Sequence, residues 1–403
     1  MEKEKRLFDG GMGSMLQEMT GQMPRCPEDV NIDDPDTVVA IHAKYAQAGA
    51  DFLTTNTFGA NAIKFKESKY TLEQVIRAAI ANAKKAGANC RIAFDMGPTG
   101  KLMQPMGDLD FDTAYTCFKE AAMLAQKHGA DCVIVETMSD LYEIKAAILA
   151  VTENTDLDCY ATVTLEENGR MLTGADAACA AEALSGFNII GVGLNCSVGP
   201  DKMLDFAKQF TAVATKPVLI QPNAGLPHQQ DGQVTYDITP VQFAHYCDQM
   251  LQSGIQYIGG CCGTTPQHIA LVRKVLDDLD SAPVPKGEKI MITSGNVTAI
   301  YDESEPFASC GDSEDDLIDF VLDKKMDGAP YAAIDLCKVD AQTAGSLVKA
   351  AQEVCNLPMV FMTDDANAAQ TIARYYNGRA GIRYVGEQQQ SAQLCVACGA
   401  LML

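Results

Sequence analysis

Eight short apolar runs alternate with amphipathic segments along the first two thirds of the chain, and this alternation constrains the fold more than any other feature. Each run is mostly apolar, as is typical of a strand that is buried on both faces of a parallel sheet. Several of the intervening segments begin near Asp, Thr or Pro and end at Gly, which are helix start and stop signals. The runs occupy residues 5–11, 50–58, 90–98, 131–138, 158–165, 188–197, 217–225 and 255–263.

The number of repeats favours one architecture. Eight strand-and-helix repeats in about 280 residues are typical of a (β/α)8 TIM barrel. A doubly wound open sheet is the alternative. It is disfavoured because the glycines of "DGGMGSM" (9–15) lack the spacing of a dinucleotide-binding turn.

The chain changes character after the eighth repeat. Two prolines and a glycine in "SAPVPKGEK" (281–289) predict a linker. Four more strand-like runs follow, over residues 289–295, 329–336, 357–365 and 380–386. They alternate with helical runs over about 115 residues, which is too short for a second barrel. We therefore expect a barrel domain over residues 1–282 and a smaller C-terminal α/β domain over residues 289–403.

The composition excludes several classes of partner and indicates a compartment. A formal net charge of −22 argues against nucleic acid and anionic membrane as partners, because both would repel the chain. No apolar run approaches the roughly 18 residues that span a bilayer, and the N-terminal "MEKEKRLFDGG" has no apolar signal core. The 15 cysteines are unevenly scattered, which favours free thiols in a reducing cytoplasm over a disulfide framework.

Polar side chains stand where the apolar runs end. A parallel barrel brings the carboxyl ends of its strands to one face, where the chemistry of such folds takes place. One polar strand end is commonly a turn cap, but eight of them together predict a functional site. The residues at these ends are Asp9, Thr55, Asn56, Asp95, Glu136, Thr137, Thr164, Asn195, Cys196, Asn223, Cys261 and Cys262.

The three thiols at these ends form the most specific pattern. Cys196 ends the sixth run, and Cys261 and Cys262 end the eighth. Three thiolates favour zinc, and three protein ligands leave a position open, as in catalytic sites. Asn223 is a candidate for a weak fourth ligand, whereas His268 is interpreted as a surface residue or a helix-capping residue. A zinc site rich in thiolate is suited to holding a substrate thiol as a nucleophilic thiolate.

Both thiol loops resemble those of a known family. "GLNCSVGP" and "GGCCGTTPQHI" are similar to the zinc loops of homocysteine S-methyltransferases. The further segments "FDGGMGSML", "ADFLTTNTFGAN", "GPTGKLMQPMGDLDF", "VETMSD" and "PNAGLP" fit in order, so the resemblance covers roughly residues 5–280. "GPTGKLMQPMGDL" looks most like the homocysteine-binding module of cobalamin-dependent methionine synthase.

The resemblance implies a site as well as a fold. It implies a (β/α)8 barrel with Zn²⁺ on the three cysteines and the homocysteine sulfur as fourth ligand. Asp9, Gly10 and Glu136 would hold the substrate amino acid, with Met12 beside it. An α-ammonium requires carboxylates, which agrees with the chemistry of the two acidic strand ends. Thr55, Asn56 and Asn195 would orient the substrate carboxylate and brace the loops.

The C-terminal region carries a weaker resemblance. "SGNVTA", "DGAPYAAIDL" and "LPMVFMTDDANAAQTIARYYNGRAGI" resemble the opening half of the folate-binding barrel of methionine synthase, at about half its length. The D-x-H-x-x-G signature of a cobalamin-binding module does not occur in the sequence. A methylcobalamin donor would therefore sit on a separate protein. "CVAC", with Cys395 and Cys398, is a candidate redox or metal pair.

Three function classes remain at this point. The leading hypothesis is a zinc-dependent enzyme that transfers a methyl group from a methylcorrinoid protein to homocysteine, forming methionine. S-methylmethionine or S-adenosylmethionine is the rival donor. The other classes are a non-catalytic zinc- or thiol-binding relative and a thiol oxidoreductase.

Overall fold

Eight parallel strands form a nearly closed barrel, as the sequence predicts for a (β/α)8 fold. The computed structural model describes residues 6–21, 25–230, 233–279, 291–310, 312–386 and 395–403. The strands are β1 (Arg6–Leu7), β2 (Phe52–Thr54), β3 (Arg91–Met96), β4 (Cys132–Met138), β5 (Asp158–Val163), β6 (Gly191–Asn195), β7 (Val218–Gln221) and, after a hairpin of β8 (Pro227–Gln230) and β9 (Gln233–Tyr236), β10 (Tyr257–Ile258). They follow the order β1-β10-β7-β6-β5-β4-β3-β2, and a parallel bridge between Phe8 and Phe52 joins the first strand to the last.

Helices connect the strands, and most begin at a capping residue. The Thr71 side chain accepts a hydrogen bond from the Gln74 amide in a capping box. The side chains of Asp110 and Asp176 each accept a hydrogen bond from the amide three residues later, without a capping box. The helices are α1 (Met12–Thr20), α2 (Val30–Asp33), α3 (Pro35–Gln47), α4 (Leu72–Ala86), α5 (Phe111–His128), α6 (Leu141–Thr152), α7 (Ala177–Ser185), α8 (Pro200–Val213), α9 (Pro240–Gln252) and α10 (Pro266–Asp278).

The barrel interior is apolar at its centre and polar at the carboxyl ends of the strands, which we call the mouth. The rings of Phe8 and Phe52 stack with centroids 4.2 Å apart, and Tyr160 meets Phe8 edge-on at 5.5 Å. Because side chains alternate along a strand, the next inward positions follow two residues later. Six of the eight strands have a polar residue there, namely Thr54, Asp95, Glu136, Thr162, Asn195 and Gln221, and the other two are followed by Gly10 and Gly259.

A second, smaller sheet follows the barrel. Its five parallel strands are hydrogen-bonded in sequence order, and a separate antiparallel hairpin precedes them. The elements are β11 (Met291–Thr293), β12 (Thr298–Ile300), β13 (Ala308–Ser309), α11 (Glu314–Met326), β14 (Ala332–Asp335), α12 (Ala341–Val354), β15 (Met359–Thr363), α13 (Ala366–Tyr375), β16 (Gly381–Tyr384) and β17 (Leu401–Met402). The predicted strand over 289–295 thus exists as β11, but it pairs with β12 and does not join the main sheet. The predicted linker, residues 281–289, lies outside the described residues.

The C-terminal unit packs against the outside of the barrel through buried polar groups. The Lys145 ammonium on α6 donates hydrogen bonds to the carbonyls of Ala373 at 2.5 Å and Tyr376 at 2.7 Å. Arg379 forms an ion pair with the buried Glu182 on α7. These contacts fix the second sheet to the wall formed by α6 and α7.

Helix α6 is buried on every side. All residues from Leu141 to Val151 are buried, whereas an outer helix of a barrel ordinarily keeps one face in solvent. The C-terminal unit takes the place of solvent there, because Lys145 and Tyr142 of this helix meet α13 and Gln352 of α12. Among the described residues, no helix combines the length and apolar character needed to cross a membrane.

Candidate metal and substrate site

Two loops at the mouth bring three thiols together. Cys196 directly follows β6, and Cys261 and Cys262 follow β10. Their Sγ atoms all lie within 4.8 Å of one another, and those of Cys196 and Cys262 are 3.9 Å apart. Zinc–sulfur bonds of about 2.3 Å in a tetrahedral site place the sulfurs about 3.8 Å apart. The spacing of the thiols therefore fits a zinc ion.

Backbone hydrogen bonds hold both loops against the end of β7. The amide of Cys196 donates to the carbonyl of Gln221, and the amide of Cys261 donates to Pro222, both at 2.9 Å. Cys196 and Ser197 have positive φ angles of 62° and 69°, a conformation that costs energy for residues other than glycine. The fold thus maintains an unfavourable backbone at the point where the first thiol turns toward the other two.

Asn223 lies beside the thiols with an unused acceptor. Its side chain is buried and hydrogen-bonds to the thiol of Cys196. Its Oδ1 atom receives no hydrogen bond from any residue that the structure describes. A buried acceptor without a partner is costly, so a cation at this position would satisfy it.

The three thiols differ in acidity because they lie so close together. Hydrogen bonds from Cys261 and Cys262 hold the pKa of Cys196 well below its usual range. The hydrogen bond with Cys196 in turn raises the pKa of Cys262 to about 12 and that of Cys261 well above its usual value. The cluster alone therefore favours a single thiolate, and a divalent cation would be needed to ionise all three.

Two carboxyl groups lie next to this cluster, those of the buried Asp9 and the half-buried Glu136. Asp9 accepts hydrogen bonds from the Thr54 amide at 2.9 Å and the Thr54 hydroxyl at 2.7 Å, yet burial raises its pKa to about 7. Burial also raises the pKa of Glu136 to about 8, and the charges of Cys196 and Asp9 add to the shift. A cationic ligand such as an ammonium would stabilise the ionised form of both carboxyl groups.

Gly10 and Met12 lie at the start of the segment that follows β1. A Cβ atom on Gly10 would meet Thr264 Oγ1 at 2.7 Å and Tyr45 Cε1 at 2.9 Å, so no side chain fits there. Met12 begins α1 and packs, half-buried, against the core. The backbone of this segment therefore packs closely against Thr264 and Tyr45, directly after Asp9.

Asn195 braces a loop with its whole side chain. Its Oδ1 accepts hydrogen bonds from the Thr137 amide at 2.8 Å and the Thr162 hydroxyl at 2.9 Å, and its Nδ2 donates to the Thr137 hydroxyl at 2.8 Å. Thr137 has a positive φ of 59°, so the loop after β4 depends on this support. The position of Glu136, one residue earlier, is fixed by the same contacts.

Thr55 and Asn56 also bond to neighbouring loops. The Thr55 hydroxyl lies 2.7 Å from that of Thr57, and Asn56 Nδ2 donates to the carbonyl of Pro27 at 2.7 Å. Both residues are buried. In the structure these contacts hold the segment after β2 in place.

The sequence reasoning missed a tyrosine beside the thiols. The Tyr236 ring lies against Gly263, where an added Cβ atom would be 2.3 Å from the ring. Ser14 accepts a hydrogen bond from the Gly263 amide at 2.8 Å and also hydrogen-bonds to the Tyr236 phenol. Nothing in the local pattern pointed to Tyr236, because it belongs to the unpredicted β8–β9 hairpin.

Thr54 and His268 could be understood from local pattern. Thr54 lies two residues after the inward-facing Phe52, so strand alternation places it beside Asp9. His268 completes a capping box with Thr265 at the start of α10, which confirms the predicted capping role. Cys395 and Cys398 are free and buried in the core.

Comparison with known sequences identifies similar proteins. A model of the homocysteine S-methyltransferase family matches residues 6–276. The methionine synthases of Mycobacterium leprae and Mycobacterium tuberculosis are each 32% identical to the chain, over 321 and 324 residues. Each match covers 74% of this chain and 26% of the relative, so the chain spans about a quarter of the length of these curated relatives.

Solved structures support the barrel. The homocysteine methyltransferase MmuM from Escherichia coli superposes with a TM-score of 0.58 in both its oxidized and its metallated form, at 20% identity. The oxidized form covers 67% of this chain and is itself covered to 95%, and the metallated form gives 68% and 96%. The matched part of the chain therefore has the same fold as MmuM.

Proposed function

Because the chain belongs to the homocysteine S-methyltransferase family, we propose that it transfers a methyl group to the sulfur of homocysteine and so forms methionine. The observation that carries the proposal is that three thiols and the carboxyl groups of Asp9 and Glu136 lie together at one barrel mouth. Homocysteine offers a thiol at one end and an ammonium at the other, and the two halves of the site match those two groups.

The residues present fit a zinc ion. Cys196, Cys261 and Cys262 would hold it, and Asn223 would be a fourth, displaceable ligand when no substrate is bound. The sulfur spacing and the unused Asn223 oxygen support this assignment. Bound there, zinc would keep a substrate thiol ionised at neutral pH while the electron-rich ligands leave its sulfur nucleophilic.

The chain's own residues would bind and orient the amino acid. Asp9 and Glu136 would pair with the substrate ammonium, with Gly10 and Met12 packed beside it. Asn195, Thr55 and Asn56 would keep the surrounding loops in place. In the reaction the substrate sulfur forms a bond to the methyl carbon, and the bond between that carbon and the donor breaks with its electron pair remaining on the donor.

The donor that we propose is a methylcorrinoid carried by a separate protein. Similarity to two methionine synthases supports this choice over a sulfonium donor. We further propose that residues 1–282 form the homocysteine-binding domain and that residues 289–403 offer a docking surface for the donor. All 15 cysteines are free, which supports action in the reducing cytoplasm.

A zinc and turnover assay tests the proposal. Zinc-loaded protein is incubated with homocysteine and methylcobalamin, S-methylmethionine or S-adenosylmethionine, and methionine is measured. Cys261→Ser removes one proposed ligand, and Cys337→Ser, a half-buried cysteine of the C-terminal unit, is the matched control. We expect methionine from methylcobalamin, and loss of zinc and turnover in Cys261→Ser alone.

Three other outcomes would change the conclusion. Product from a sulfonium donor only would replace the donor but keep the reaction. Zinc binding without product from any donor would indicate a non-catalytic relative. Turnover that survives the loss of zinc in Cys261→Ser would contradict the zinc-dependent reaction.

A further inference from the structure

A third carboxyl group is directed into the mouth, and one of its oxygen atoms has no hydrogen-bond partner among the residues that the structure describes. Asp95 lies on β3 two residues after Ala93, which belongs to the barrel interior, so both side chains point inward. The residue is only 7% exposed. Its Oδ1 atom is buried and receives no hydrogen bond from the residues that the structure describes.

The backbone fixes the direction of this side chain. The Asp95 amide donates to the Thr55 hydroxyl at 3.1 Å, and its carbonyl accepts a hydrogen bond from the Thr57 hydroxyl at 2.8 Å. Both main-chain groups are thus used in bracing the end of β3. The Oδ1 atom of the carboxyl group, in contrast, remains without a hydrogen bond from the described residues.

The charged surroundings of Asp95 are almost entirely acidic. Burial raises the pKa of Asp95 well above its usual value, and the negative charges of Glu136, Glu28 and Asp9 raise it further. The positive charge of Lys64 lowers this pKa, but its effect is the smallest of these. Glu28 is already engaged, because its Oε1 accepts a hydrogen bond from the Gly59 amide at 2.6 Å. A cationic ligand would therefore be attracted to the space between Asp95, Glu136 and Asp9.

We propose that Asp95 completes the ammonium subsite, so that Asp9, Glu136 and Asp95 each accept one N–H of the α-ammonium of homocysteine. This inference rests on the proposed function. An alkylammonium has three N–H donors, and each one left unpaired in a buried site costs binding free energy. Asp9 and Glu136 would satisfy two of them, and the unused Asp95 oxygen satisfies the third. Asp95 is thus a substrate-binding residue that distinguishes amino-acid thiols from simple thiols.

Equilibrium binding to zinc-loaded protein tests this role. Homocysteine is compared by calorimetry with 4-mercaptobutanoate, which keeps the thiol and the carboxylate but lacks the ammonium. For Asp95→Asn we expect the dissociation constant of homocysteine to rise at least about tenfold, as for loss of one hydrogen bond to a charged group. The dissociation constant of 4-mercaptobutanoate should not rise. A smaller variant, Asp95→Ser, and a thermal melt of each protein separate binding from folding.

A matched control lies at the other end of the barrel, in the segment that leads into β4. Asp131 accepts a hydrogen bond from the Ile92 amide at 2.7 Å, far from the mouth, and Asp131→Asn should weaken neither ligand. Equal weakening of both ligands by Asp95→Asn would overturn the inference and indicate a structural role. Unchanged homocysteine binding would also overturn it while leaving the proposed function intact. Failure of the unaltered protein to bind homocysteine would overturn both.

Discussion

Replacing Thr54 by valine should make substrate binding more sensitive to pH. The Thr54 hydroxyl donates to Asp9 at 2.7 Å and opposes the rise of the Asp9 pKa to about 7. One hydrogen bond to a charged group contributes about 1.5–3 kcal/mol, and one pKa unit corresponds to about 1.4 kcal/mol. The substitution should therefore raise the Asp9 pKa by roughly one to two units. At pH 7 the ionised fraction of Asp9 would fall from about a half to between roughly 1% and 10%.

The expected result is a loss of homocysteine affinity that depends on pH. Because an ammonium pairs with the ionised carboxylate, we expect roughly 5- to 50-fold weaker binding at pH 7, and the loss should shrink as the pH rises. The readout is the ratio of variant to unaltered dissociation constants between about pH 6 and about pH 9, since titration of the ligand and metal cancels in the ratio. A carbon-13 NMR titration of the Asp9 carboxyl measures the same shift without substrate.

A control and a stability measurement complete this test. Thr211→Val removes a buried hydroxyl that bonds within α8, and it should leave the ratio near one at every pH. The folded pKa of Asp9 lies above its ordinary value of 3.8, so its ionisation should lower the free energy of unfolding as the pH rises from about 4 to about 7, by about 4 kcal/mol at most. A variant-to-unaltered ratio that does not change with pH would refute the placement of ionised Asp9 against the substrate.

Two further substitutions have matched controls. Gly263→Ala should weaken zinc binding and lower the free energy of unfolding, because the φ of 77° and the Tyr236 ring 2.3 Å from the new Cβ atom both oppose a side chain. The control is Gly21→Ala, which has the same φ but nothing within 4 Å of the new Cβ atom. It should show only the backbone strain of about 1–2 kcal/mol. Chelator competition and thermal melts measure both, and an equal loss of zinc affinity in the two variants would contradict a role for the ring. Lys145→Met should lower the free energy of unfolding by about 1–3 kcal/mol, since it leaves carbonyls at the end of α13 unpaired. The control is the exposed Lys127→Met, which should lower it by less than about 1 kcal/mol. Urea unfolding measures both variants.

The barrel could be predicted because its evidence is repeated eight times. All eight apolar runs contain a strand of the barrel, although β1 and β10 are only two residues long. The thiol cluster could also be predicted from the sequence, because adjacent cysteines at a strand end have little structural purpose. By contrast, β12, β13 and β17 span two or three residues each, which is too short for any periodicity to be visible.

The roles of individual polar strand ends could be predicted less well. Asn195 and Asp95 look alike in sequence, since each follows an apolar run. In the structure Asn195 is fully hydrogen-bonded to residues 33 and 58 positions away, whereas the Asp95 Oδ1 atom has no partner among the described residues. Which polar group remains available for a ligand depends on these long-range partners, and a single sequence does not reveal them.

The complete burial of α6 has a consequence for how the two parts of this protein can be inherited. A chain cut after α10 would expose the face of α6 that the C-terminal unit now covers, and Lys145 would lose the carbonyls to which it donates. The barrel would then expose an apolar surface along α6, and such a surface promotes association with other proteins. The two parts therefore cannot be exchanged freely between genes as independent modules. A barrel recombined with another partner would need polar substitutions along α6 first.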